Sequence, residues 1–127
     1  MQLEYPVNSD TPVSRLPFSP SVRVGNFVFV SGQASVDSTG TIIPGTFEEE
    51  FRRAMENMRK VLAAAGSDFS CVIQTRNYIR DPQNLQLYND LYREYFPKPY
   101  PARTTVTNCL PTTLLYEVEC VAVVKQK

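Results

Sequence analysis

Two glutamates, Glu117 and Glu119, are the only carboxylates inside a stretch that alternates strongly as a β-strand. Side chains two residues apart on a strand share a face, so this pair is separated by roughly 6.6 Å. A carboxylate partly buried among aliphatic neighbours can orient a water and take its proton. The same pattern also suits a wet strand edge or pairing with arginines, and the spacing alone leaves these readings open. Arg103 opens another strand directly after Pro97, Pro99 and Pro101, which hold its backbone extended. Its planar fork suits a carboxylate ligand gripped by two parallel hydrogen bonds, though a lone strand arginine is more often a surface or ion-pair residue.

The chain has no histidine at all. That excludes Ser-His-Asp and Cys-His apparatus, a histidine general base and histidine-ligated metals. Cys71, Cys109 and Cys120 form no CxxC pair and are odd in number, which suits a reducing compartment and inert, apolar roles. No basic neighbour in sequence favours a thiolate at Cys109 or Cys120. Ser31-Gly32-Gln33 offers a serine without a base, and no phosphate-binding glycine loop is present. Thirteen basic and thirteen acidic residues cancel, which argues against gripping nucleic acid or an anionic membrane by bulk charge. The opening residues lack a basic segment followed by an apolar run, and aliphatic runs of about four residues fall far short of the roughly 20 that a membrane span needs. A soluble, cytoplasmic single domain over residues 1–127 is expected, with 1–16 as an extended arm.

The elements that must position these groups follow from periodicity. Ser21 to Val24 and Phe27 to Ser31 read as a hairpin around Gly25-Asn26, with Ser31-Gly32-Gln33 ending its second strand. A brief strand at Thr41 to Ile43 is also expected. Thr46 and Glu49 form a capping-box pattern that starts a helix over 46–65, and Gly66 stops it. Phe47, Phe51, Ala54, Met55, Met58, Val61, Leu62 and Ala65 make its apolar stripe. Glu48→Arg52, Glu49→Arg53 and Glu56→Lys60 are expected ion pairs on the wet side. Cys71 to Ile79 reads as a strand, and Asp81-Pro82 starts a second helix that runs to about Phe96, with Leu85, Tyr88, Leu91, Tyr92 and Tyr95 inward. Strands at Arg103 to Cys109 and Leu114 to Val124 complete the chain, joined through Leu110-Pro111-Thr112-Thr113. The last strand has one wholly apolar face (Leu114, Tyr116, Val118, Cys120, Ala122, Val124) and a mixed one (Leu115, Glu117, Glu119, Val121, Val123). The order predicts an α+β sandwich, a mixed sheet with two helices on one face. Its uncovered face needs a partner, and self-association supplies one most simply.

Several motifs add a family resemblance. Pro17-Phe18-Ser19-Pro20 and Val24-Gly25-Asn26-Phe27-Val28-Phe29-Val30-Ser31-Gly32-Gln33 resemble the N-terminal signature of the RidA/YjgF family of reactive intermediate deaminases. Asn57 with Val61 to Ser67, and Tyr88 to Phe96, are similar to that family's two helices. Pro101-Ala102-Arg103-Thr104-Thr105-Val106, Leu110-Pro111 and Glu117-Val118-Glu119 resemble its C-terminal motif. The match runs in order from about residue 17 to 124.

The resemblance implies a chorismate-mutase-like fold with a six-stranded mixed sheet, and a homotrimer whose three clefts lie between subunits. In the deaminase branch those clefts bind 2-imino acids and hydrolyse them to 2-oxo acids and ammonia. Carried onto this chain, Arg103 would hold the substrate carboxylate and Glu117 would orient the water. Phe18, Ser31, Gly32 and Thr105 would shape the pocket, and Asn89 fits a structural role on the second helix. No metal or organic cofactor, nucleic acid or membrane partner is implied. Phe18 stands where the deaminase branch usually has tyrosine. The Arg103–Pro111 segment is one residue shorter than the deaminase pattern, and Arg76 and Asn77 add polarity to the middle strand. The alternative is a non-enzymatic member that binds small carboxylates or regulates a partner. Deamination of a larger intermediate, such as an aminomuconate, shares the same chemistry. An RNA-cleaving role is opposed by the neutral charge and by the absence of a basic, aromatic-interleaved stripe.

Overall fold

The longest helix begins where Thr46 caps it. The Thr46 hydroxyl accepts from the Glu49 amide, and the Glu49 carboxylate accepts from the Thr46 amide. In the computed structural model, which describes residues 1–111 and 113–126, this helix is α1 (Phe47–Ala64), and the whole expected stripe through Ala65 is buried. Gly66 follows at φ +80°, a left-handed conformation that glycine adopts without strain. The strands are β1 (Leu3–Glu4), β2 (Ser21–Val24), β3 (Phe27–Ala34), β4 (Val72–Ile79), β5 (Ala102–Thr107) and β6 (Tyr116–Val123), and the second helix is α2 (Leu85–Tyr95). Sheet order is β1-β2-β3-β6-β4-β5. Only the β4–β5 pair is parallel, as expected of strands joined through a crossover helix, here α2. Both helices cover one face, giving the predicted α+β sandwich with a mixed six-stranded sheet.

Several boundaries differ from the sequence reading. The sixth strand is β1, an edge strand formed by the arm itself, whereas Thr41–Ile43 contributes only an isolated bridge from Ile42 to Val36. β3 does not end at Ser31. It continues to Ala34 through a register shift between Val30 and Gln33, where three steps on β3 face two on β6. Phe69–Cys71 forms a single tight helical turn ahead of β4, so Cys71 lies outside the strand. Pro82–Asn84 forms another before α2, capped by the Asp81 carboxylate. β5 stops at Thr107 because Asn108 and Leu110 both take positive φ (58° and 84°). The expected 110–113 connection includes Thr112, which lies outside the described residues.

Two charge pairs also move. Glu56 pairs with Arg59, not primarily with Lys60, and Arg53 turns to the Ser35 hydroxyl (2.8 Å) instead of Glu49. Glu48–Arg52 forms as expected.

Two polar residues on the buried side of α1 fix the strands beneath it. Asn57 donates to the carbonyls of Ala34 and Val36, both at 3.0 Å, and so ties down the end of β3. Glu50 accepts from the Leu115 amide at 3.0 Å and pins the approach to β6. Asn57→Leu would keep most of the volume but take the donor from the Val36 carbonyl and leave the Ala34 carbonyl only its bond from the Val36 amide. It is expected to destabilise the fold by about 2–3 kcal/mol, against ~1 kcal/mol for Thr46→Ala. Urea unfolding of both variants at one protein concentration checks the order, and equal losses would contradict it.

Candidate functional site

β6 carries the two glutamates and lies between β3 and β4. Its Tyr116, Val118, Cys120 and Ala122 side chains are buried under the helices, which directs Glu117 and Glu119 to the opposite face. Glu117 lies across from Ala34 on β3 and Tyr78 on β4. Its carboxylate sits directly over Gly32: a Cβ there would come within 3.0 Å of the Glu117 Cδ and closer still to Oε2. The bulge at Ser31–Gly32 therefore makes room for the carboxylate, a use of bulges common beside active sites. Ser31 itself turns to the arm, its amide donating to Pro20 O (3.0 Å) and its hydroxyl to Ser19 O (2.6 Å).

Burial raises the Glu117 carboxyl above its ordinary value of 4.5, and the neighbouring Glu119 charge raises it further. Glu119 accepts a 2.5 Å hydrogen bond from the Tyr78 hydroxyl. Glu117, Glu119, Phe18, Ser31, Gly32 and Gln33 all border a cavity of about 790 Å³ that runs beneath the N-terminal arm.

Arg103 lies elsewhere. Its strand partner is Thr75, whose hydroxyl bonds to Tyr92 on α2, so Arg103 belongs to the helix-covered side of the edge strand β5. Its guanidinium stands 4.9 Å from the centres of both the Tyr88 and Tyr92 rings and donates to Asn89 Oδ1 at 2.9 Å. Asn89, Tyr92, Arg93, Tyr100, Pro101 and Arg103 line a second, smaller hollow of about 270 Å³. Within one chain, then, Arg103 and Glu117 occupy opposite sides of the sheet. Thr105 lies on Arg103's side of the sheet, its hydroxyl paired with Tyr88 Oη at 2.8 Å. Asn89 positions Arg103, a sharper role than a general helix contact.

Asn77, expected to add polarity near the site, is wholly buried on the helix side. It accepts from Tyr116 Oη (2.6 Å) and donates to Thr75 Oγ1 (3.1 Å) and Thr104 O (3.3 Å). This network locks the tyrosines on which Arg103 lies. Burial pushes the Tyr88 phenol up to about 12. Cys120 is likewise buried, its thiol pushed up to about 12, consistent with an apolar role. Arg80 was not singled out by sequence. It donates to the carbonyls of Leu114 (2.8 Å), Leu110 (3.0 Å) and Pro111 (3.1 Å), bracing the turn that leads into β6. The only sequence signal for that role is a basic residue placed just after a strand.

The profile of a family described as Endoribonuclease L-PSP matches residues 8–124. The chain is a member of that family, the RidA/YjgF proteins. A RutC family protein of Pyrococcus abyssi is 37% identical over 108 residues, covering 84% of this chain and 85% of that one. The human 2-iminobutanoate/2-iminopropanoate deaminase is 35% identical over 109 residues, covering 84% and 80%. Among solved structures, E. coli TdcF with bound serine superposes with a TM-score of 0.85 at 28% identity, covering 96% of this chain and 99% of that one. RidA/YjgF relatives include mitochondrial and chloroplastic proteins. Among the described residues, no helix is long and apolar enough to cross a membrane.

The raised carboxyl of this RidA/YjgF chain has a consequence for stability. Between pH 4.5 and the higher folded value, the native state holds a proton on Glu117 that the unfolded state has lost. Stability contributed at this position therefore falls as pH rises through that window. Glu117→Gln removes the penalty. Its melting temperature should exceed the parent's at pH 7 and converge with it below pH 4.5; a lower melting temperature at pH 7 would contradict the assignment of burial as the dominant cause.

Proposed function

We propose that this protein hydrolyses 2-imino acids to 2-oxo acids and ammonia, in a site completed between copies of the chain. The observation that carries this reading is Glu117: a half-buried carboxylate with a raised pKa, seated over a glycine at the end of a cavity. A deaminase name on relatives at about 35% identity supports the reaction class. Water held by Glu117 attacks the imine carbon, and Glu117 takes the proton. The same carboxyl returns it to nitrogen, giving a carbinolamine, and then carries that intermediate's hydroxyl proton to nitrogen, so that ammonia leaves as the carbonyl forms. Imines already hydrolyse in water, so positioning one water and one proton-transfer group is sufficient help.

The substrate carboxylate needs a cation, and Arg103 lies on the other side of its own sheet. A second copy supplies it. The exposed apolar side chains Phe27 and Phe29, next to Val121 and Val123 on the uncovered sheet face, favour such an assembly, which we take to be a homotrimer. Arg103 is pre-oriented for the task by two ring faces and an amide, leaving its other donors for a ligand. The serine bound to E. coli TdcF has the carboxylate such a cation would meet. A binding-only role is favoured by one feature, the lack of a hydroxyl on Phe18 at the cavity wall.

Generating 2-aminoacrylate from serine with a dehydratase and following loss of the imine separates the two roles. Turnover above the buffer rate is expected, and its absence would leave only binding. Glu117→Gln should lower the rate by about 10²–10⁴ while keeping 2-oxo acid affinity. Glu119→Gln should retain most turnover, because Glu119 is already engaged by Tyr78; the reverse ranking would assign the water to Glu119.

Arg103→Lys keeps the charge but loses the parallel hydrogen bonds. Binding of 2-oxobutanoate should weaken about 10–100-fold by calorimetry. Unchanged affinity would remove Arg103 from the site.

A further inference from the structure

We propose that the room beneath the N-terminal arm receives the substrate's side chain, so that this protein prefers 2-imino acids bearing a large apolar side chain, branched or aromatic, over three- and four-carbon ones. The inference rests on the imine-hydrolase reading and concerns which imine is hydrolysed. The cavity that begins at Glu117 measures about 790 Å³. Pockets that enclose whole drug-sized molecules span about 300–1,000 Å³. Within one chain that space exceeds what an imino acid ending in a methyl group would fill.

Those walls come from two segments. Val13, Leu16 and Phe18 project from the arm, and Val36 and Ile42 from the loop after β3. The polar side chains that the arm brings to the cavity are already engaged with one another or with the arm's own backbone. Asn8 Oδ1 accepts from the Thr11 hydroxyl (3.2 Å) and the Asp10 amide (2.9 Å). The Ser14 hydroxyl accepts from the Leu16 amide (3.1 Å). Away from the glutamates the cavity therefore presents mainly hydrocarbon to a ligand. Phe18 fits this arrangement, since a phenol in its place would set a hydroxyl at the cavity wall.

The arm is a held wall and not a loose tail. Val13 N donates to Ser38 O at 3.0 Å, and Ser31 ties the arm at Ser19 and Pro20. Each methylene moved from water onto such a surface contributes about fourfold in kcat/KM, the equivalent of ~0.8 kcal/mol. A leucine-type imine carries three more carbons than iminopropanoate. Its advantage should be on the order of 10–100-fold.

The test generates imines of alanine, leucine and phenylalanine in place with an amino-acid oxidase and measures the acceleration of each hydrolysis by the intact protein. Higher kcat/KM for the leucine- and phenylalanine-derived imines supports the proposal. Equal values, or a preference for the alanine-derived imine, overturn it while leaving the imine-hydrolase reading standing. No acceleration of any of them overturns both. Val13→Trp, which fills the room from the arm side, should lower the leucine-to-alanine ratio by tenfold or more. An unmoved ratio in a folded variant would place the side chain elsewhere. If that variant fails to fold, calorimetry of the parent with 4-methyl-2-oxopentanoate and pyruvate gives the same decision: tighter binding of the larger acid supports the subsite, and equal or weaker binding removes it.

Discussion

β6 is hydrogen-bonded on both edges, to β3 and to β4, and one of its faces is sealed beneath two helices. A strand held in this way has no freedom to slip, because a shift of one residue would drive two glutamates into the core and expose Tyr116 and Val118. The position of the Glu117 carboxylate is thus enforced by the hydrophobic effect acting on its neighbours. Glu50 and Arg80 add a second restraint at the strand's entrance, each satisfying backbone groups of the turn that feeds it. Gly32 then sets the depth at which the Glu117 carboxylate can sit. The geometry of the Glu117 carboxylate is thus set by its neighbours.

The opposite side of the sheet follows a different rule. There the buried groups are polar, and they are tolerated because each finds a partner: Tyr116 on Asn77, Asn77 on Thr75, Thr75 on Tyr92, Thr105 on Tyr88. The tyrosine rings so fixed form the floor on which Arg103 rests. One sheet therefore positions Glu117 and Arg103 by different means, apolar burial behind Glu117 and a satisfied polar network behind Arg103.

Much of this was legible in the amino-acid order. The apolar stripe of α1, the capping box at Thr46, the Gly25-Asn26 hairpin and the two-faced final strand each rest on a local pattern, and each formed where periodicity placed it. The bulge at Ser31–Gly32, the burial of Asn57 and Asn77, and the placing of Arg103 and Glu117 on opposite sides of one sheet depend on which strands become neighbours, and no local pattern encodes that. Thr105 shows the point most simply. Its place in a motif carries no direction, and its parallel pairing beside Asn77 fixes which side of the sheet it faces. Thr41–Ile43 is a short β-type run that makes one bridge and no ladder, and β1 is a two-residue edge strand that carries almost no periodic signal.

The groups recorded around Arg103 among the described residues are two aromatic rings, an amide oxygen and no carboxylate. Most arginines held this firmly are held by an acid, which orients the guanidinium and cancels its field in the same contact. Here orientation and neutralisation are separated. The side chain gives up rotational freedom to neutral partners, so its full unit charge is still felt by whatever anion arrives next. The entropy of ordering the fork is then met during folding, and an incoming carboxylate displaces no resident counter-ion. Asn89 is the hinge of that arrangement. An aspartate at the same place would grip as well or better, and would leave a well-aimed arginine with little attraction left to offer.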